Sequence, residues 1–292
     1  MTDINMPSDG ENGWRRFWNR GGFWRAILLT AIYFAVFNGA TWLFALIGAD
    51  LVTPGGGSFA DPPTIFWGLL GPILVAGLVT LAIAASVGWL RDIFGPQPIG
   101  GSWWMWIAVA VVLLFNIANF ARAPYGSYTP ATVLSILALG LVVGFAEELI
   151  TRGVVVNAMR KHGYGEWMVM FVSALTFALL HSGYFQSMGI VGGSIQVIYT
   201  FFFGVLMYLA LRVTGSIIGP MLLHASTDPS VFLNTGAIGD TSAAPQSATV
   251  LDLIGAFSQW GTMLVGLVLI FFVRGRVASK SSDTDPQMRA DF

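Results

Sequence analysis

Long apolar segments alternate with short polar loops along this chain. A helix needs about 20 consecutive apolar residues to cross a bilayer, and about eight segments meet that requirement in part or whole. The predicted spans are Ala26–Gly48, Thr64–Leu90, Trp103–Phe120, Thr132–Val156, Trp167–His181, Ile195–Leu211, Ser216–Leu233 and Leu253–Val273. The fifth could extend through Tyr184, and Gly219-Pro220 is expected to break the seventh early. The pattern predicts an all-α, polytopic membrane helix bundle.

Basic residues follow the same alternation. They cluster before the first span and after the second, fourth, sixth and eighth: Arg15, Arg16, Arg20, Arg25, Arg91, Arg160, Lys161, Arg212, Arg274, Arg276 and Lys280. The loops on the other face contain one basic residue, Arg122. Because Lys and Arg accumulate in cytoplasmic loops, both termini are predicted to be cytoplasmic.

Composition supports a membrane protein and excludes some chemistry. Hydrophobic residues make up 55% of the 292 residues, more than a soluble domain of this size could bury. The chain has no cysteine, so disulfide and thiolate chemistry are excluded. The net charge is −1 and no basic stripe is present, so no nucleic-acid partner is predicted. The expected location is a membrane that the chain crosses several times, the cytoplasmic membrane if the cell is bacterial.

The chain divides into five predicted regions. These are a cytoplasmic leader (1–25), N-terminal transmembrane helices (26–131), a catalytic transmembrane core (132–235), the last helix with its flanks (236–278) and a disordered cytoplasmic tail (279–292). The first apolar run follows an arginine-bearing segment and precedes no small-residue cleavage site, so it is expected to be retained as a helix. Oligomeric state does not follow from these features.

Two adjacent glutamates and an arginine lie inside the fourth span. Charges in hydrocarbon are costly and are kept where they pair, line a cavity or take part in chemistry. Glu148 and Arg152 are four residues apart, so a helix places them on one face, where they can form an ion pair. Glu147 is rotated by about 100° and lacks this partner on its own helix. The sequence therefore predicts one structural glutamate and one that is free to act as a base.

Two further motifs place histidines in apolar segments. Phe177 and His181 are four residues apart, as are His224 and Asp228. The second spacing suits two ligands of one metal, or two hydrogen-bonding groups directed at one substrate atom. Glu147 and His181 lie about 20 and 21 Å from the cytoplasmic ends of their spans, and the third motif lies about 12–18 Å along its own. A water-filled cavity open to the cytoplasm could therefore hold all three motifs.

The three motifs, in this order on successive membrane helices, resemble the CAAX prenyl protease and bacteriocin-processing family of intramembrane endopeptidases (CPBP or Abi). They are Glu-Glu-x-x-x-Arg from Glu147, Phe-x-x-x-His from Phe177 and His-x-x-x-Asp from His224. The resemblance covers Val133–Val231, and the first three spans and the last lie outside it. Each motif alone is weak evidence, whereas all three in order are specific.

The resemblance implies hydrolysis of a peptide bond in a membrane-associated protein or peptide by an activated water. Glu147 would be the general base, and His181 would help to bind or polarise the water. His224 and Asp228 would support a metal or the developing oxyanion. Members with asparagine at the last position can donate a hydrogen bond to an oxyanion, whereas an ionised aspartate serves better as a metal ligand.

Whether a metal takes part is left open by the resemblance. Zinc is the expected ion, and its tentative ligands are Glu147, His181, His224 and Asp228. The implied catalytic set comprises these four residues and Glu148, with Arg152 and Phe177 as structural support. Whether the substrate is prenylated does not follow from the sequence.

Two other functions remain as alternatives. A proton- or ion-coupled transporter also carries buried Glu, His and Asp beside a broken helix. Such transporters usually contain paired repeats, and this chain has no counterpart of its interrupted span in its first half. A non-catalytic membrane scaffold of the same fold is expected to have a decayed site, but each motif position holds a chemically competent residue. The sequence favours the protease.

Overall fold

The computed structural model describes residues 12–55, 57–235 and 250–277. The helices of this part are α1 (Gly13–Asn19), α2 (Phe23–Ile47), α3 (Pro62–Ser86), α4 (Leu90–Phe94), α5 (Trp103–Arg122), α6 (Pro130–Lys161), α7 (Glu166–Leu180), α8 (Tyr184–Thr214), α9 (Ile218–Asn234) and α10 (Val250–Leu269). The described residues form no β-sheet, and a single β-bridge joins Gly165 to Arg276. The predicted all-α class is confirmed.

In the described part of the chain, five helical segments are long and apolar enough to cross a membrane. They are α2, α3, α5, α6 and the run Glu166–Thr214, and a shorter apolar helix covers Trp260–Phe272. The chain is therefore an integral, multi-pass membrane protein. The count of about eight spans and the cytoplasmic position of both termini remain predictions.

The run that contains α7 and α8 is a helical hairpin. A straight α-helix would separate Glu166 from Arg212 by about 69 Å, yet Arg212 Nη1 lies 3.2 Å from Glu166 Oε2. The chain turns through the 3₁₀ segment His181–Gly183, and α8 then breaks at Gly189, whose φ of 69° lies in the left-handed region. The two helices are antiparallel, and the histidine of the second motif lies at the turn between them.

Small residues bring α6 and α9 into close contact. Gly140 and Gly144, four residues apart on α6, face Met221, Ala225 and Pro229 on α9. A β-carbon at Gly144 would lie only 2.5 Å from the carbonyl oxygen of Met221, so a larger side chain would force the helices apart. Membrane helices associate through such close packing of small residues. This contact places the glutamate motif beside the histidine motif of α9.

Gly219 and Pro220 do not break the seventh span, contrary to the sequence-based prediction. α9 begins at Ile218, so Pro220 lies in its first turn, where a missing N–H leaves no hydrogen bond unmade. Among the described helices, α8 is interrupted at Gly189. This glycine has a positive φ, a backbone conformation that other residues rarely adopt.

The predicted leader is partly folded onto the helix bundle. Trp89 Nε1 donates a hydrogen bond of 2.7 Å to Asn19 Oδ1, and the amide of Gly22 donates to the carbonyl oxygen of Ala158 at 2.7 Å. Residues 1–11, 236–249 and 278–292 lie outside the described residues, and so does the predicted disordered tail. The boundaries of the five regions stay predictions.

Candidate functional site

Glu148 and Arg152 form the ion pair that their spacing predicts. Arg152 Nη1 donates to Glu148 Oε1 at 2.9 Å, and both side chains are fully buried. The same oxygen lies 2.9 Å from His224 Nδ1, on α9. Glu148 therefore holds an arginine of its own helix and a histidine of another, and the second contact could not be inferred from spacing along one helix.

Arg152 also connects α6 to the α7–α8 hairpin. Its Nη2 donates to the carbonyl oxygen of Gly204 at 2.7 Å, and a β-carbon at Gly204 would lie 3.2 Å from that nitrogen. The guanidinium carbon lies 4.6 Å from the centre of the Phe177 ring, in a cation–π arrangement. One buried cation thus contacts a carboxylate, a carbonyl and an aromatic face on three helices.

A π-helical segment, Leu149–Val155, begins directly after the glutamate pair. Segments of this kind inside α-helices are frequent at functional sites, and they leave backbone groups without their usual partners. Here Ser173 Oγ, on α7, donates to the carbonyl oxygen of Thr151 at 3.0 Å. α7 therefore compensates for the irregular backbone that carries Arg152.

Phe177 packs between the two motif histidines. Its side chain is fully buried, and its ring centre lies 4.8 Å from that of His181 and 5.5 Å from that of His224. Phe203 of α8 contacts the His224 ring at 5.4 Å, edge to face. Glu148, Arg152, Phe177 and His224 together make the buried floor of the site.

The more open side of the site is formed by Glu147, His181 and Asp228. Glu147 and His181 are half-buried, and the Asp228 side chain is 27% exposed. His181 Nδ1 lies 3.0 Å from the carbonyl oxygen of Phe177. Because a carbonyl can only accept, Nδ1 carries the proton in this contact, and Nε2 of the neutral imidazole is left as a free acceptor.

Glu147 lies at the centre of this open side. The charges of His181, His224, Asp228 and Glu148 all act on its carboxylate, so the fold brings the three motifs together. Its Oε2 is buried and has no hydrogen-bond partner among the described residues. Buried polar atoms in proteins are nearly always hydrogen-bonded, so this carboxylate oxygen is expected to bind water or a substrate.

The tentative metal ligands do not form a metal-binding group. Among the described residues, no three His, Asp or Glu side chains are placed to hold an ion. Nδ1 of His224 lies 2.9 Å from Glu148 Oε1, and Nε2 lies 3.7 Å from Asp228 Oδ1. A histidine that donates one ring nitrogen to a carboxylate can still bind a metal through the other, so these residue types suit an ion. Whether the reaction uses a metal stays a prediction.

Polar residues outside the motifs also contribute to the site. Glu147 acts electrostatically on Tyr33 and Tyr184, and Asp228 acts on Tyr184 and Tyr199. The sequence analysis missed all three tyrosines. Tyr184 could have been suspected, because it follows the second motif by three residues, whereas the other two approach the site only through the tertiary fold.

A buried asparagine of α5, also missed from the sequence, supports α9 from outside the motif region. Asn116 Nδ2 donates to Ser226 Oγ at 2.8 Å and lies 3.4 Å from the carbonyl oxygen of Leu223. These two residues flank His224 along the chain. An asparagine inside an otherwise apolar span was the available signal, because polar groups at that depth need a partner.

A comparison with family models identifies the region that carries the site. Residues 128–229 match the model described as Type II CAAX prenyl endopeptidase Rce1-like. The match begins just before α6 and ends one residue after Asp228, so it contains all three motifs and confirms the predicted family. Searches of curated proteins and of solved structures found no match.

Proposed function

We propose that this protein, whose residues 128–229 belong to the Rce1-like family of CAAX prenyl endopeptidases, hydrolyses a peptide bond of a membrane-associated protein or peptide. The difference between the two adjacent glutamates carries the proposal. Glu148 is paired with Arg152 and His224 in the buried floor, whereas Glu147 is half-buried and has no ion pair among the described residues. A carboxylate that is left unpaired on the open side of the site is suited to act as a general base.

In the proposed reaction, a water lies between Glu147 and His181. Glu147 takes one proton from the water, and the free Nε2 of His181 accepts a hydrogen bond from the other, which orients the oxygen. The water oxygen attacks the scissile carbonyl carbon, whose oxygen becomes negatively charged. The Glu147 carboxyl group then returns its proton to the leaving nitrogen as the carbon–nitrogen bond breaks.

The buried floor would hold this arrangement in place. Arg152 neutralises Glu148, and Glu148 fixes the ring orientation of His224 through Nδ1, so that Nε2 faces the open side near Asp228. As an imidazolium between the carboxylates of Glu148 and Asp228, the ring would also carry a proton on Nε2. This preorganised donor could stabilise developing negative charge without reorganising during the reaction. By the distribution of basic loops, the cleft opens to the cytoplasm.

The proposal is tested by comparing newly generated protein termini in cells that express the wild type or Glu147→Gln at matched levels. Termini that disappear with this single substitution would establish proteolysis and identify the substrates. Asp92→Asn is the matched control, because it makes the same carboxylate-to-amide change in an exposed ion pair with Lys161. The control is expected to retain the wild-type termini.

Identical termini in the wild type and Glu147→Gln, with both proteins folded, would contradict the proposed protease. Uptake of ions or solutes into proteoliposomes would then favour the transporter. No uptake, together with capture of a membrane partner by both proteins, would favour the scaffold.

A further inference from the structure

We infer that Tyr184 is a further catalytic residue, whose hydroxyl donates a hydrogen bond to the oxyanion formed during peptide hydrolysis. This inference rests on the proposed function. Two observations support it: the three motifs offer few hydrogen-bond donors, and the Tyr184 ring stacks on that of His181.

The carboxylates of the site cannot stabilise an oxyanion. Glu147, Glu148 and Asp228 accept hydrogen bonds when ionised and cannot donate them. Nδ1 of His224 is hydrogen-bonded to Glu148, so His224 can offer at most one further donor, at Nε2. His181 donates Nδ1 to a backbone carbonyl. An oxyanion-stabilising site is normally built from several preorganised donors, and so a second donor must come from outside the motifs.

Tyr184 lies beside His181 on the open side of the site. It begins α8 directly after the 3₁₀ turn at His181, and the two rings are parallel within 5° with centres 6.2 Å apart. Both Glu147 and Asp228 act electrostatically on its hydroxyl. Its side chain is half-buried, so it is held by the fold and is still open to a substrate.

The other two tyrosines are less suited to this role. Among the carboxylates of the site, Glu147 alone acts on Tyr33, and Asp228 alone acts on Tyr199. Tyr33 is also only 4% exposed, which hinders contact with a substrate. Of the three, Tyr184 is the one linked to both the proposed base and the end of the third motif.

The step balances without another reactant. The carbon–oxygen bond to water forms, a water proton moves to Glu147, and the carbonyl electron pair moves onto oxygen. Tyr184 donates a hydrogen bond to that oxygen and keeps its proton throughout. When the carbon–nitrogen bond breaks, the carbonyl is restored and the proton on Glu147 goes to the amine.

The test uses the purified full-length protein and a synthetic peptide that contains a cleavage sequence dependent on Glu147 in cells. Tyr184→Phe is expected to lower kcat about 100-fold with little change in KM. A loss of this size is typical when an enzyme loses one oxyanion donor. Tyr164→Phe removes a half-buried tyrosine hydroxyl outside the site and is expected to leave kcat unchanged.

A rescue experiment separates hydrogen-bond donation from packing. Asp228→Asn supplies an amide donor on the open side of the site, so adding it to Tyr184→Phe is expected to restore kcat at least about tenfold. An unchanged kcat in Tyr184→Phe would overturn the inference, and so would a loss that Asp228→Asn fails to restore. If the wild type shows no cleavage that depends on Glu147, the proposed function fails instead, and the inference fails with it.

Discussion

The described part of the chain contains two buried carboxylate clusters, and they differ in how completely their charges are paired. In the first, Glu166 at the start of α7 accepts hydrogen bonds on both oxygens. Arg160 donates to them at 2.8 and 2.7 Å, Arg212 donates at 3.2 Å, and the Tyr208 hydroxyl is a further donor. Two arginines thus pair with one carboxylate that has no solvent exposure.

The second cluster, at the candidate site, contains more carboxylates than arginines. In the described structure Arg152 pairs with Glu148 and not with Glu147, and each glutamate has a buried oxygen without a hydrogen-bond partner. Both clusters contain Glu and Arg in the same protein, so residue type does not distinguish them. Complete pairing indicates a structural role, and incomplete pairing marks a place where the fold leaves a carboxylate available for chemistry.

The largest effect is expected on the rate of peptide cleavage, from a substitution in the second cluster. Glu147→Gln should lower the rate of peptide cleavage about 10²–10⁴-fold, because it removes the proposed general base. Thermal unfolding in detergent should change little, since Glu147 forms no ion pair with the residues that the structure describes. Cleavage assays and melting curves on the same preparations check both statements. A mutant that cleaves at the wild-type rate would contradict the role of Glu147.

Substitution of the neighbouring glutamate should damage the fold. Glu148→Gln leaves Arg152 buried without its counter-ion and weakens the hold on His224. Loss of one partner of a buried pair costs about 3–5 kcal/mol, and we expect a reduction of this size in the free energy of unfolding. If this variant proves stable but inactive, the two glutamates have been assigned the wrong way round.

Substitution in the fully paired cluster should affect stability alone. Glu166→Gln leaves Arg160 and Arg212 without their counter-ion. We therefore expect a similar loss of about 3–5 kcal/mol in the free energy of unfolding. The cleavage rate per folded molecule should stay near the wild-type value, because this cluster lies at the other end of α7 from His181. An exposed pair such as Asp92 with Lys161 is worth about 0–1 kcal/mol, so Asp92→Asn provides the baseline.

Lowering the pH should reduce the activity. The proposed base works only when Glu147 is ionised, so the rate should fall about tenfold per pH unit once the carboxylate is mainly protonated. The measurement is kcat/KM across the acid range, on protein that remains folded at each pH. A rate that stays flat down to about pH 4 would contradict the assignment of the base.

The smallest expected effect is that of a chelator. The site residues do not form a metal-binding group in this structure, so peptide cleavage should persist after treatment with EDTA. Inactivation that zinc reverses would show that the cleft rearranges around an ion. In that case Glu147, His181 and Asp228 would be the first ligands to test.

Features that depend on neighbouring turns of one helix could be predicted well. The Glu148–Arg152 pair follows from the four-residue spacing and is present even though a π-helical turn begins between the two residues. The order of the three motifs indicated the family that the match at residues 128–229 confirms. The break expected at Pro220 was wrong, because a proline in the first turn costs a helix nothing.

Features that join different helices could not be predicted in the same way. The contact of Glu148 with His224 spans 76 residues of sequence, and that of Arg152 with Gly204 spans 52. Such contacts depend on how closely two helices approach, which small residues such as Gly144 decide through interhelical packing. The roles of the individual site residues remain predictions that the variants above would test.

The sequence alone determined that this is a multi-pass, all-helical membrane protein with three ordered polar motifs, because hydropathy and helical periodicity are local properties of the chain. Only the tertiary structure decided which glutamate is held by a histidine, which tyrosine stacks on the histidine of the second motif, and where an oxygen is left unpaired. Those outcomes depend on the approach of α6, α8 and α9 to one another. Pairing across helices is a property of the packed fold rather than of any one segment.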